Sequence, residues 1–261
     1  YSADEMEKTI INGNEVRRLN ENVRFVKKDR VILTDNASQY LKEDVLHLNG
    51  NTMMISGPDT LTCDSMVYWT NLDSIFAKGD IRFVHGPNRG MFGDEMEIQY
   101  EDSLVKMIRV LKNAFAYNDL NLRINKDGPY LHFRDEMTSK KIIVYFQGEF
   151  ISHLKLMNMA STSYHVVDDS LLAGNNVVSG DTILINFQGG EIKRIQVQGG
   201  TLGKFKPEKD NTEIDTTVFY GGKYFKRNIN YKNWDDENLN KSLLLLRNDY
   251  PNKFSLIYEN I

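Results

Sequence analysis

The chain has 261 residues, a formal net charge of −4 and a pI near 5.8, with 41% hydrophobic and 26% charged residues. That balance belongs to a globular protein and excludes a disordered tail. No apolar run approaches the ~18 residues of a membrane-spanning helix, the longest candidate being the leucines at 243–246. Lysines and arginines are scattered and form no stripe, which argues against a nucleic-acid duplex as partner.

The chain opens Tyr1-Ser2-Ala3-Asp4, with no initiator Met, charged n-region or apolar h-region, and so reads as a mature or trimmed product. Its single cysteine, Cys63, allows no intrachain disulfide, so thiols give no reading of the compartment. Alanine, the best helix former, occurs seven times, whereas the turn residue asparagine occurs 26 times. Composition alone therefore predicts an all-β fold.

Internal repeats then set the architecture. Glu21-Asn22-Val23-Arg24-Phe25 leads to Ile32-Leu33-Thr34-Asp35; Gly50-Asn51-Thr52-Met53-Met54 leads to Leu61-Thr62-Cys63-Asp64; Gly79-Asp80-Ile81-Arg82-Phe83 leads to Met91-Phe92-Gly93-Asp94. The three aspartates are 29 and 30 residues apart, and Asp4 stands 31 before Asp35. Asp135 and Asp181 extend the series at longer intervals. Lys27-Lys28-Asp29, Gly57-Pro58-Asp59 and Gly86-Pro87-Asn88 are turns at matching places. Before each turn, apolar and polar residues alternate, as in Val23/Phe25 against Arg24. After it, the apolar phase changes at the aspartate: Leu61 and Cys63 are out of step with Met66 and Tyr68, as are Met91 and Gly93 with Met96 and Ile98. A phase change repeated at one place predicts a bulge or corner at which the sheet bends.

Further on, Gln147-Gly148-Glu149-Phe150 and Gln188-Gly189-Gly190-Glu191 predict hairpins flanked by alternating strands, with Gly199-Gly200 opening another link. The chain after 205 differs in character. Residues 207–215 read as a polar linker, 216–231 as strand and 235–247 as a short helix or a buried strand. The organisation is thus a repeat-built module at 1–205 and an extension at 206–261.

No constellation carries catalysis. The five histidines lack an i, i+4 pair or a zinc motif, Cys63 has no histidine partner placed by sequence, and no cofactor or metal is called for. The serial aspartates lack the Gly-rich pattern of Ca²⁺-binding β-rolls and read as corner residues bonded to backbone. Gly199-Gly200-Thr201-Leu202-Gly203-Lys204 has the wrong spacing for a phosphate loop. Lys27, Lys28 and Arg30 form a basic turn.

Inward apolar candidates are Val23, Phe25, Met54, Leu61, Met66, Ile81, Phe83, Met91, Met96, Phe115 and Phe133. Periodicity alone reads them as a closed core packed on itself. The Gly-Asn/Asp-Val/Ile-x-Phe strand starts at Asn22 to Phe25 and Gly79 to Phe83, the strand Leu61-Thr62-Cys63-Asp64-Ser65-Met66-Val67-Tyr68 and the closing Gln196-Val197-Gln198-Gly199-Gly200 resemble the OstA-like family of periplasmic lipopolysaccharide-transport proteins. That resemblance covers about 1–203. It implies a folded-over antiparallel sheet with open edges (a β-jellyroll or β-taco) and a non-enzymatic role in the periplasm of a Gram-negative cell. The inward residues would line a shelter for acyl chains of lipopolysaccharide or another acylated lipid. Related β-jellyroll modules, or further copies, would dock through the sheet edges. Asp4 falls in mid-repeat, so either the native chain begins before Tyr1 or this end is an edge completed by a partner. The rival reading is a structural β-solenoid or filament subunit that assembles through its edges without lipid.

Overall fold

The computed structural model describes residues 1–27, 30–189 and 191–207; the elements expected at 216–231 and 235–247 lie outside the described residues. Strands β1 (Glu5–Ile11), β2 (Asn14–Lys27), β3 (Arg30–Tyr40), β4 (Val45–Ser56), β5 (Asp59–Trp69), β6 (Ser74–His85) and β7 (Arg89–Glu101) come first. The longer β8 (Leu104–Leu122), β9 (Leu131–Gln147), β10 (Phe150–Asp168) and β11 (Leu171–Gln188) follow, then the short β12 (Glu191–Gln198) and β13 (Leu202–Pro207). They form one open antiparallel sheet of 13 strands in chain order, with β12 and β13 both pairing β11. The all-β fold expected from composition, and the open-edged antiparallel sheet that the family resemblance implies, are the observed architecture. Two compact units divide it: among the described residues the first holds Tyr1–Pro87 and Asp94–Val105, the second Asn88–Gly93 and 106–207.

A strand of 19 residues would run about 60 Å if straight. Instead, strand after strand bends at one level. Register breaks fall between Asn20 and Val23, Leu33 and Asn36, Asn49 and Thr52, and Thr62 and Ser65 in the first unit. In the second they fall between Leu111 and Ala114 and between Met157 and Ala160. At these breaks β2, β4, β6, β8 and β10 place two consecutive left-handed residues: Glu21-Asn22, Gly50-Asn51, Gly79-Asp80, Lys112-Asn113 and Asn158-Met159. Gly199-Gly200, read from sequence as the start of a link, is the same corner, separating β12 from β13.

The aspartates sit against these corners. Asn51 Nδ2 donates to Asp35 Oδ2 at 2.9 Å, and Asn22 Nδ2 to Asp4 Oδ2 at 2.6 Å. Asp181 N donates to Gly199 O at 2.9 Å. A methyl group built on Gly50 would stand 2.5 Å from Asp35 Oδ2, and one on Gly79 would collide with the Asp64 carboxylate. Glycine is therefore required at Gly79 twice over, by a φ of +77° and by the side chain packed on it.

Asp135 is a correction to the series. The β9 corner lies at 139–140, opposite Lys112-Asn113, and Ser139 Oγ there donates to Lys141 O at 2.8 Å. Asp135 is buried four residues away and accepts from His165 N at 2.8 Å, with His165 Nδ1 at 2.9 Å. Ser139 holds the place of the small residue Thr34, and Lys140 stands where the earlier corners have aspartate, so the spacing of aspartates loses its meaning there.

On this account Gly79→Ala loses about 3 kcal/mol of stability, from left-handed strain plus collision with Asp64. Gly86→Ala, at φ +61° with nothing within 4 Å of the new methyl, loses only about 1 kcal/mol. Urea titration of both variants measures the difference.

Candidate lipid-binding interior

The register assigns the inward face of the first unit. Between corner and turns, call the limb bearing 36–40, 45–49, 65–69 and 74–78 limb A, and that bearing 30–34, 52–56, 59–63 and 81–85 limb B. Limb A carries the cross-strand row Leu19–Ala37–Leu48–Met66–Ala77, every member at most 3% exposed. Limb B carries Phe25–Ile32–Met54–Leu61–Phe83, of which only Phe25, half-buried, is above 3%. At the corner the inward residues are small: Thr34 and Cys63 are both fully buried, and Thr34 Oγ1 lies 2.9 Å from Thr52 Oγ1 and 3.1 Å from Asn49 O.

The structure thus brings Phe25, Met54, Leu61 and Phe83 into one row and places Met66 in the row of limb A. Val23 and Ile81 are buried beside the corner, and Met96 is buried on β7. Met91, in the second unit, is buried, and Phe133 is half-buried opposite Leu120 with its ring 5.0 Å from His165. Phe115 stands on the other face. Its neighbour Ala116 continues the inward row Ala116–Met137–Thr162–Val178, whereas Phe115 pairs with Thr138 and packs 5.9 Å from Phe92 and 6.4 Å from Tyr117. The phase step at Lys112-Asn113 puts it on the face opposite Ala116, where it is 6% exposed under those rings.

Sequence reasoning passed over the most apolar wall of the molecule. In the second unit Ile108–Val144–Leu154–Ile185 and Val110–Ile142–Leu156–Ile183 form two adjacent aliphatic rows, none of them above 4% exposed. The signal was the period-two alternation of Leu154/Leu156 and Ile183/Ile185. Burial of each such side chain is worth about 1.5–3 kcal/mol.

The rim of limb B is polar. Its last rung is Arg30–Ser56–Asp59–His85, one position beyond Val31–Ile55 and two beyond the row holding Leu61. Arg30 is 5% exposed and reaches to limb A. Its Nη1 donates to Asp73 Oδ1 and, at 3.0 Å, to Tyr68 Oη; its Nη2 donates to Asp73 Oδ2 at 3.0 Å. Tyr68 Oη donates to Asp73 Oδ1 at 2.8 Å, and the guanidinium lies 3.9 Å from the Tyr100 ring centroid. Asp59 Oδ1 is 2.6 Å from His85 Nδ1. Burial pushes the Tyr68 phenol up to about 12 and raises that of Tyr100 as well, Asp59 adding to the latter. Burial would raise Asp73, but the hydrogen bonds from Arg30 and Tyr68 outweigh it and hold the carboxyl below its ordinary value. The same contest leaves Arg30 raised: burial opposes its charge, and the Asp73 hydrogen bond prevails.

Among the described residues no group of three or more His, Cys, Asp or Glu side chains is placed to hold a metal, and no helix is long and apolar enough to cross a membrane. No protein-family model matches the chain, and no curated protein matches it in sequence. Among solved structures it is similar to LptH of Pseudomonas aeruginosa, the LptA-homologous periplasmic component of a lipopolysaccharide transport device. The identity is 12% and the TM-score 0.38, over 54% of this chain and 82% of that one.

Asp73→Ala costs about 2–3 kcal/mol, somewhat under the loss for a wholly buried pair because the Asp73 side chain is 32% exposed. A carboxyl held below its unfolded value adds stability above that value and gives it up as pH falls through the folded one. Wild type therefore loses its advantage over Asp73→Asn as pH drops below about 4, and the two stability curves run parallel above about 5. Urea titrations from pH 2.5 to 7 measure this.

Proposed function

We propose that the chain is a periplasmic carrier module that shelters acyl chains of lipopolysaccharide, or of another acylated lipid, during transfer towards the outer membrane. The observation that carries this reading is the apolar inward rows running from strand to strand across each unit. A 12-carbon acyl chain needs about 10 kcal/mol of shelter to cross water, at about 0.8 kcal/mol per CH₂. Rows that continue across neighbouring strands supply such shelter along the sheet and not at a single pocket. Methionines at Met54 and Met66, flexible and polarisable, suit a lining that adapts to mobile chains. The role involves no covalent chemistry. Among the described residues β1, with Met6 63% and Ile10 76% exposed, is an edge strand, and its outer backbone could pair with a related module or a second copy.

A second reading is favoured by one observation: Leu61, Cys63, Met54 and Met66 are at most 1% exposed, so the interior of the first unit is closed. A dry core of this kind suits a structural subunit that assembles through its edges. Native mass spectrometry of protein purified from a Gram-negative host, with lipid extraction of the same sample, separates the two. The carrier reading expects bound lipid A-type species, reduced at least tenfold in Phe25→Glu at a half-buried position, with circular dichroism checking that the variant folds. A lipid-free protein running as a ladder of multimers would establish the structural reading instead.

A further inference from the structure

We propose that Arg30 and Asp73 form a latch between the two limbs of the first unit, and that its opening exposes the closed apolar interior. Acyl-chain entry by this route rests on the carrier reading; the latch itself does not.

The position comes first. Arg30 is paired with Lys27 at the last register position of the β2–β3 hairpin, and Asp73 lies in the connection from β5 to β6, 43 residues along the chain. Hairpin ends from opposite limbs therefore meet through this pair, on the side of the fold away from the corner. The corner side is fixed by backbone pairing and by aspartates seated on glycine. The rim side, by contrast, is bridged by the side-chain contacts of Arg30.

The chemistry comes second. The rows behind the rim are apolar, yet the rung that meets limb A is Arg30–Ser56–Asp59–His85 against Tyr68, Asp73 and Tyr100. As a fastening, a buried ion pair is a poor choice, since well-packed apolar residues in its place are often as stable or more so. It differs from an apolar seal in one respect. When the limbs part, Arg30, Asp73 and the Tyr68 hydroxyl regain water, whereas an apolar rung would expose hydrocarbon. The rim is thus the place where the fold separates at least cost, and the separation leads first to Met54 and Leu61 and, behind them at the corner, to Cys63.

Cys63, fully buried, inward-facing and the sole cysteine of the chain, is a built-in reporter. The test is the rate at which a small thiol reagent labels Cys63 in the full chain across a low-urea series. Wild type labels slowly. Asp73→Asn and Arg30→Gln are expected to label at least tenfold faster with a shallow urea dependence, the mark of local opening. The paired replacement Arg30→Met with Asp73→Leu, an apolar fastening, is expected to label more slowly than wild type. Labelling whose urea slope equals that of global unfolding, or rates unchanged in the single variants, overturns the latch.

Uptake of a fluorescent dodecanoyl probe is the second arm. Entry several-fold faster in Asp73→Asn than in wild type supports the rim as the route. Equal entry rates alongside faster labelling overturn the rim as the route while leaving the carrier reading intact. Absence of probe binding in every variant overturns the carrier reading, and the Cys63 rates still decide the latch.

Discussion

The structure depends on a mismatch of one residue at the bend. In β3 and β5 the inward positions on either side of the corner are three apart, as in Thr34 to Ala37 and Cys63 to Met66; in β2 and β4 they are four apart, as in Leu19 to Val23 and Leu48 to Thr52. Two left-handed residues absorb the extra length on the longer path. Side chains in a strand alternate with period two, so an unbroken strand could not keep its apolar set inward on both limbs of a fold. The paired three-and-four step keeps both limbs apolar within, and it recurs in β9 and β10, from Ser139 to Ile142 and from Leu156 to Ala160. Register, curvature and burial follow from that step.

Half of this was legible. The three-residue step was visible as a change of apolar phase beside Asp35, Asp64 and Asp94, because aspartate and the small residue before it mark the place. The four-residue step was visible only where glycine takes one of its left-handed positions, as at Gly50 and Gly79. Lys112-Asn113 and Asn158-Met159 adopt the same backbone without glycine, with φ from 50° to 65°, so nothing in their residue types announces the corner. The consequence is local and systematic: spacing reads Asp135 as a corner residue and Phe115 as an inward one, whereas Asp135 bonds His165 and Phe115 packs on Phe92 on the opposite face. Both differences lie beyond β7, where the intervals lengthen and Lys140 takes the aspartate's place after Ser139. The first unit's inward row was legible because its members recur at the repeat interval.

The rim was not legible at all. Arg30 read as part of a basic turn with Lys27 and Lys28, since sequence periodicity says nothing of what lies across a fold. Asp73 sits outside any strand, and Tyr68 reads as one more apolar-phase residue. Only the folding-over brings a residue of the β2–β3 hairpin against one between β5 and β6. Contacts of this class, between limbs and not between neighbouring strands, are set by the bend angle and are invisible to any pattern of period two.

The bend also dictates how the interior is graded. At the corner of the first unit the inward residues are Val23, Thr34, Thr52, Cys63 and Ile81, all buried. In the second unit Gly93 has no room for a side chain against Val110, and Ala114, Ser139, Ala160 and Gly180 hold the equivalent places. Next to the corner of the first unit come, on limb A, the row of Leu48, Met66 and Ala77 and, on limb B, that of Met54, Leu61 and Phe83, and at the rim Arg30 and Asp59 meet Tyr68 and Tyr100. The corner side is closed by the strands themselves, whose backbone runs through the bend. On the rim side the limbs meet through side chains, and there the first groups to move are the charged and phenolic ones that water can reclaim. The closed corner and the polar rim are therefore two results of one geometry: folding a sheet at a fixed level leaves one seam closed by backbone and another bridged by side chains.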